Sequence, residues 1–190
     1  MLAFTAPAAA AVPLTQISSD PFANTTSQHA TEVEPDTFAA GSTVVSAFQQ
    51  GRFFDGGATD IGFARSMDGG SSYTSGSLPG VTFTSGMGGT TPPPFVRVSD
   101  PSVASDEMHH VWLVSSIPLE SSSLVLPTVF ISRSTDGGAT WSNPVSIPPP
   151  VAQKVNLDKN RTVCDDHRFS PFRGHCYAES TTSAGGTSSR

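Results

Sequence analysis

The chain has 190 residues, a formal net charge of −6 and only 14% charged residues. This acidic balance argues against a nucleic-acid-binding protein, whose binding faces are basic, and no run of about 18 apolar residues predicts a membrane-spanning helix. The 17 glycines and 16 prolines, with frequent Ser and Thr, favour an all-β protein with many turns.

The first residues differ in composition from everything that follows. Residues 1–14 are rich in Ala and Pro and look like the remnant of a secretory signal peptide with a small-residue cleavage region, although a positively charged start is missing. The alternative is a flexible leader. A signal remnant predicts a secreted or extracellular protein, and residues 15–33 are predicted to be an irregular lead-in segment.

Ten short strand-forming runs follow, grouped into repeats over about residues 34–80, 100–147 and 158–180. Residues 81–96, which contain Gly and Pro clusters, are predicted to link the first two repeats. The first strands of the repeats are aligned on Thr37, Ser102 and Thr162. The predicted strands cover residues 36–40, 43–49, 60–66, 73–75, 102–105, 110–115, 128–134, 141–147, 161–165 and 175–179.

The same turn motif occurs in the first two repeats. Each copy reads Ser-x-Asp-Gly-Gly followed by an aromatic residue, and Asp68 and Asp136 lie 136 − 68 = 68 positions apart. The aspartate accepts hydrogen bonds from downstream backbone N–H groups, and the glycines permit positive φ. We therefore predict a structural role for this set: Ser66, Asp68, Gly70, Tyr73, Ser134, Asp136, Gly138 and Trp141.

This turn resembles the Asp-box of the sialidase-type (BNR repeat) β-propellers. The resemblance implies an all-β fold of four-stranded antiparallel blades, incomplete here at about two and a half blades, with residues 34–190 forming the partial propeller. The Asp-box is a folding device that also occurs outside sialidases, so it implies no reaction by itself.

The third repeat carries a second resemblance and the only two cysteines. Residues 158–177 look like a hairpin of secreted bacterial sialidase-like proteins, with Asp-Lys, Cys-Asp and Ser-Pro-Phe-x-Gly-x-Cys-Tyr elements. Cys164 and Cys176 fall on facing strands of this predicted hairpin, within disulfide reach. We predict a disulfide between them, the alternative being two buried free thiols.

The sialidase resemblance also implies candidate catalytic residues. Asp55, which follows Ala47-Phe48 and Arg52, is the best match to the acid/base aspartate, and Asp60 is a weaker match. Arg52 would be its neighbour. The alternative is that Arg52 and Asp55 form a surface ion pair and a Gly-rich turn. The first substrate-binding arginine of sialidases would fall on Val33, which cannot pair with a carboxylate.

The sequence predicts no metal or cofactor. His109 and His110 are adjacent and would point to opposite faces of a strand. Glu32, Glu34 and Asp36 would share one face of a strand, where a solvated edge is favoured over a metal site.

Two functions remain open. One is an exo-α-sialidase-type glycoside hydrolase acting on terminal sugars of glycans, to which this chain would contribute Asp55 without being active alone. The other is a non-catalytic propeller that binds glycans or proteins at a cell surface.

Overall fold

A computed structural model of the chain describes residues 14–85, 95–119, 128–147 and 156–183. Within these ranges there are ten β-strands and no helix, which confirms the all-β class. The strands are β1 (Glu32–Ala40), β2 (Thr43–Arg52), β3 (Ala58–Ser66), β4 (Thr74–Ser77), β5 (Arg97–Asp106), β6 (Val111–Leu119), β7 (Val129–Ser134), β8 (Val145–Ile147), β9 (Asn156–Cys164) and β10 (Cys176–Ser183).

Every strand pair is antiparallel. β1 to β4 pair in chain order to form a first four-stranded group, and β5 to β8 form a second. One residue pair, Ala58 with Val98, joins β3 to β5. β9 and β10 form a separate two-stranded sheet. This succession of antiparallel strands in chain order agrees with the predicted propeller architecture.

The core lies between the two four-stranded groups. β2 is buried over almost its whole length rather than at alternate positions, which indicates that both of its faces are covered. Val81 and Thr82 are fully buried, so the segment predicted as a linker begins by completing the core. The shared apolar cluster comprises Val45, Ala47, Ile61, Phe63, Leu78, Val81, Val98, Val103, Trp112, Val114 and Phe130.

The lead-in segment forms no strand up to Thr31 and is attached to the sheet, while its last two predicted residues belong to β1. The backbone N–H of Gln28 donates to the carbonyl of Arg52 at 2.8 Å, and that of Gly51 donates to the carbonyl of Thr31 at 3.0 Å. The Asn24 amide donates to the Thr59 hydroxyl at 3.2 Å. These bonds hold the segment against the ends of β2 and β3.

The first strands of the two groups and of the hairpin lie side by side, with β5 between β1 and β9. A link recurs between them. Asp36 Oδ2 accepts the backbone N–H of Val103 at 2.8 Å, and Ser102 Oγ accepts that of Thr162 at 3.1 Å. A side-chain acceptor on each strand thus satisfies a backbone donor of the next strand. These bonds fix how far neighbouring first strands are shifted along each other.

The predicted disulfide is confirmed. Cys164 and Cys176 are bonded, with their Cα atoms 4.0 Å apart, and they are the facing pair at the end of the β9–β10 ladder. The alternative of two free thiols is therefore wrong. Disulfides persist mainly in oxidising compartments such as the extracellular space. Among the described residues, no helix is long and apolar enough to cross a membrane.

Candidate functional site

Strand direction sorts the loops to two opposite edges of the sheets. The starts of β1, β5 and β9 lie at the same edge as the β2–β3 loop, residues 53–57. We call this the site edge. The two Asp-Gly-Gly turns and the β9–β10 loop lie at the opposite edge, which we call the turn edge.

The two Asp-Gly-Gly turns have matching hydrogen bonds. Asp68 Oδ1 accepts the Ser66 hydroxyl at 2.7 Å and the Ser72 N–H at 2.9 Å, while Oδ2 accepts the Ser72 hydroxyl at 2.6 Å. Asp136 makes the same contacts, with the Thr140 N–H at 2.9 Å and its hydroxyl at 2.6 Å. These bonds hold the pKa of both carboxyls well below the usual range. Each aspartate is fully engaged in its own turn.

The remaining members of the set complete the turns. The N–H groups of Gly70 and Gly138 donate to the hydroxyls of Ser66 and Ser134. Trp141 packs against Phe63 of the first group, with ring centroids 5.8 Å apart. The second turn is therefore also a contact between the two four-stranded groups.

We expect Asp68→Ala and Asp136→Ala each to lower the melting temperature by a few degrees, because each removes the acceptor of several turn N–H groups. Since the folded pKa is depressed, this stabilisation is present above about pH 4, the unfolded pKa, and is lost as pH falls through the folded pKa. Thermal melts between pH 3 and 7 measure it, with the exposed Glu179→Ala as control. Equal melting temperatures for variants and wild type at pH 7 would contradict the structural role.

Asp55 lies in the β2–β3 loop at the site edge. Its Oδ1 is 2.6 Å from Arg97 Nη1, and the side chains of Asp55 and Arg97 are 69% and 25% exposed. The hydrogen bond from Arg97 lowers the pKa of Asp55. The Gly-rich turn weighed as the alternative is present, since Gly56 and Gly57 both have positive φ. Asp55 is thus held as a carboxylate, a state suited to accepting a proton rather than donating one.

The other residues of the predicted catalytic group lie on the strands rather than in this loop. Arg52 ends β2, where its charge partly opposes a rise in the pKa of the Glu34 carboxyl caused first by burial. Val33 pairs with Gln49 in the β1–β2 ladder and lines a separate groove with Ile17 and Phe48. Asp60, the weaker candidate, is fully buried inside β3.

A pocket that the sequence analysis did not predict lies where β1, β5 and β9 begin. It has a volume of about 310 Å³, and each of the three strands supplies one run of three residues. We call it the inner-strand pocket. Its lining residues are Glu34, Pro35, Asp36, Asp100, Pro101, Ser102, Lys159, Asn160 and Arg161.

The first residue of each run has the same unusual backbone conformation. Glu34, Asp100 and Lys159 have φ values of 52°, 50° and 51°, in the left-handed region that non-glycine residues seldom adopt. In β1, β5 and β9 the register shifts at this point, as in a β-bulge. Bulges re-aim side chains, and here three of them direct charged residues into one pocket.

Three of the charged groups in the pocket are mutually engaged. Lys159 Nζ lies 3.5 Å from Asp100 Oδ1, and the Lys159 backbone N–H donates to Asp100 Oδ2 at 3.1 Å. The buried Gln49 amide donates to Glu34 Oε2 at 2.6 Å. Burial and the nearby Asp100 carboxyl raise the pKa of Glu34, while Lys159 and Arg52 oppose the rise. Asp100 and Glu34 in turn raise the pKa of Lys159.

A sequence signal for this pocket existed. Glu34-Pro35-Asp36 and Asp100-Pro101-Ser102 are both acidic-Pro-polar runs near the start of a first strand. A separate pattern, the alternation of Glu32, Glu34 and Asp36, predicts only a solvated strand face and does not use the similarity of the two runs. Comparing them would have indicated a recurring feature, although not that Lys159 joins it.

A larger cavity of about 480 Å³ lies at the turn edge, lined by residues of the second Asp-Gly-Gly turn and by Trp112, His110 and Arg173. Its Asp136 carboxylate is engaged within the turn, whereas the inner-strand pocket gathers charged side chains from three strands. The inner-strand pocket is therefore the better candidate despite its smaller size. In the described part of the chain, no three His, Cys, Asp or Glu side chains come together as a metal site.

Comparisons with known proteins support the fold. No protein-family model matches the sequence, and no curated protein matches it. Solved structures do match: a Hadza microbial sialidase, with a TM-score of 0.52 and 20% identity over 68% of this chain, and the intramolecular trans-sialidase of Ruminococcus gnavus, with 0.56 and 11% over 87%. An exo-β-1,3-galactanase of Phanerochaete chrysosporium gives 0.52 and 14% over 78%.

The matched regions are only part of those proteins. They cover 29% of the Hadza sialidase, 58% of the trans-sialidase and 32% of the galactanase. At these identities the likeness concerns the fold rather than the activity. The chain therefore has a sialidase-like, glycoside-hydrolase-like β fold.

Proposed function

We propose that this chain is part of a secreted, sialidase-like Asp-box propeller that recognises glycans at its site edge. The observation that carries the proposal is the inner-strand pocket, because it gathers hydrogen-bond donors and acceptors from three successive first strands. Ligand sites are concave and contain a few convergent polar groups. The fold of the chain is similar to those of a sialidase, a trans-sialidase and a galactanase.

The Cys164–Cys176 disulfide supports secretion, because such bonds persist in oxidising compartments. The signal remnant predicted for residues 1–14 lies outside the described residues, apart from Leu14. An array of immobilised oligosaccharides tests the proposal. Binding of the labelled chain to any glycan, abolished by the same glycan in solution, is the expected result, and an array without bound protein would contradict it.

An exo-α-sialidase-type glycoside hydrolase is the second candidate function. The observation in its favour is that Asp55 lies at the site edge, in the β2–β3 loop. Two observations oppose it for this chain: Asp55 is paired with Arg97, and Val33 occupies the position expected for a substrate-binding arginine. Glycan recognition without hydrolysis therefore agrees better with the site.

We expect this chain alone to release no fluorophore from a fluorogenic sialoside. A well-placed acid/base group accelerates a reaction by only about 10² to 10⁴-fold. Orientation and charge stabilisation of the substrate contribute more to the rate, and Val33 cannot hold the substrate carboxylate. The assay compares the chain with its Asp55→Ala variant and with an active sialidase. Turnover by the parent that disappears in Asp55→Ala would overturn this prediction and favour the hydrolase.

A further inference from the structure

The inner-strand pocket is built from equivalent positions of three strands. Glu34, Asp100 and Lys159 share the same left-handed conformation, and each lies within a register shift of its strand. All three line the pocket. The carboxylates come from β1 and β5 and the ammonium group from β9. A ligand in this pocket would therefore contact all three strands at once.

The polar groups of the pocket are anchored from behind. Asp100 has a side chain only 11% exposed and pairs with Lys159. Gln49, which is 2% exposed, holds Glu34 through Oε2 and also donates to Ser99 Oγ at 3.3 Å. The carboxyl groups are thus fixed before a ligand arrives, which reduces the entropy lost on binding.

The charge arrangement selects among ligands. A cationic ligand would compete with Lys159 for the Asp100 carboxylate. An anionic ligand would meet three carboxyl groups, those of Glu34, Asp36 and Asp100, beside the two cationic groups of Lys159 and Arg161. An anion that takes Lys159 leaves the Asp100 carboxylate, whose side chain is 11% exposed, without its partner, which is costly in a partly desolvated site, and a cation would have to displace an ammonium group already in place. A hydroxyl group both donates and accepts, so neighbouring hydroxyls can bond to a carboxylate and to Lys159 while the ion pair stays intact.

We propose that the inner-strand pocket binds an uncharged saccharide unit, with Glu34 and Asp100 accepting hydrogen bonds from its hydroxyls and Lys159 donating one. This inference rests on the proposed glycan recognition and specifies its ligand class. The expected ligand is uncharged, and in this the pocket differs from a sialidase subsite, in which the ligand is a carboxylate sugar bound by arginines.

The test uses the 190-residue chain on an array that presents neutral oligosaccharides and their sialylated counterparts, such as lactose and 3′-sialyllactose. The neutral glycan bound most strongly is then titrated by calorimetry. We expect preference for the neutral member of each pair. Glu34→Gln and Asp100→Asn should each weaken binding by about tenfold or more, the loss typical of a hydrogen bond to a charged group.

Two controls separate a lost contact from a lost fold. Glu179→Gln removes an exposed carboxylate of β10 and should bind as the wild type does. Glu34→Gln should also shift the ratio of sialylated to neutral binding upward, because it removes a negative charge, and this ratio does not depend on the folded fraction.

The outcomes distinguish the two proposals. Binding only to sialylated glycans, or neutral binding that is unchanged in Glu34→Gln and Asp100→Asn, would overturn the neutral-saccharide inference while glycan recognition stands. Absence of binding to every glycan would overturn glycan recognition and this inference with it. Neutral preference that is lost in both pocket variants and kept in Glu179→Gln would support both.

Discussion

Reduction of the Cys164–Cys176 disulfide is expected to destabilise the β9–β10 hairpin by about 3 kcal/mol, the loop-closure value for a ring of about 13 residues. The hairpin depends on this bond because it forms a two-stranded sheet of its own, and such hairpins are marginal in water. It stays attached to β5 through the bonds of Ser102 and Asp100. The first two groups share a separate apolar core, so they should be much less affected.

Amide hydrogen exchange measures this difference by region. After reduction and alkylation, exchange in β9 and β10 should accelerate about 100-fold, since about 1.4 kcal/mol corresponds to a factor of ten. Exchange in β2 and β3 serves as the internal control, and a Cys164→Ala/Cys176→Ala double variant excludes an effect of the alkyl groups. Unchanged exchange in the hairpin, or equal acceleration throughout the chain, would contradict the expectation.

The sequence predicted the strands because their apolar runs end at strong turn formers. All ten predicted runs overlap an observed strand, and the largest errors lie at the beginnings. β5, for example, begins at Arg97, whereas the prediction began at Ser102. The predicted strand began only after Asp100-Pro101, whereas the structure includes these residues in β5 through a register shift between Ser99 and Ser102.

The alignment of the first strands was wrong by one residue in the second repeat. The positive-φ residues Glu34, Asp100 and Lys159 make Thr37 equivalent to Val103 and Thr162, whereas the sequence alignment placed Ser102 in that column. Ser resembles Thr in size and hydroxyl chemistry, so composition favoured the wrong column. The true register does have a trace in the sequence, because Glu34-Pro35-Asp36 aligns with Asp100-Pro101-Ser102, but Lys159-Asn160-Arg161 lacks both the acidic residue and the proline.

The candidate site was less predictable than the fold. The sialidase resemblance indicated Asp55 as a catalytic residue. Its hydrogen-bond partner, Arg97, lies 42 positions away in β5. The inner-strand pocket depends on β1, β5 and β9 lying side by side, and Lys159 differs in charge from the residues at the equivalent positions. Convergence of unlike residues from distant strands is set by tertiary packing, which local patterns do not contain.

Asp60 is a buried carboxyl group of which only one oxygen accepts a hydrogen bond. It is fully buried in β3, and its Oδ1 accepts the N–H of Ile61 at 2.8 Å. Its Oδ2 has no hydrogen-bond partner among the described residues. Burial raises the pKa of Asp60 well above the ordinary value of 3.8, because a charge without partners is poorly solvated in the interior.

Asp60→Asn is therefore expected to stabilise the chain at neutral pH and to have little effect near pH 4. Between the unfolded pKa and the raised folded pKa, the unfolded chain has lost a proton that the folded chain keeps. Stability then falls as pH rises, by up to about 1.4 kcal/mol per pH unit for one group. Asparagine has nearly the same shape and does not titrate, so it removes this dependence.

Urea unfolding of wild type and Asp60→Asn from pH 4 to 8 measures the effect as the difference between the two stability curves. The matched control is Asp158→Asn, which removes one negative charge from an exposed position of β9 and so corrects for the net charge of −6. The advantage of Asp60→Asn should grow with pH and exceed that of the control. An advantage that is constant with pH would show that the buried carboxyl binds no extra proton in the folded chain.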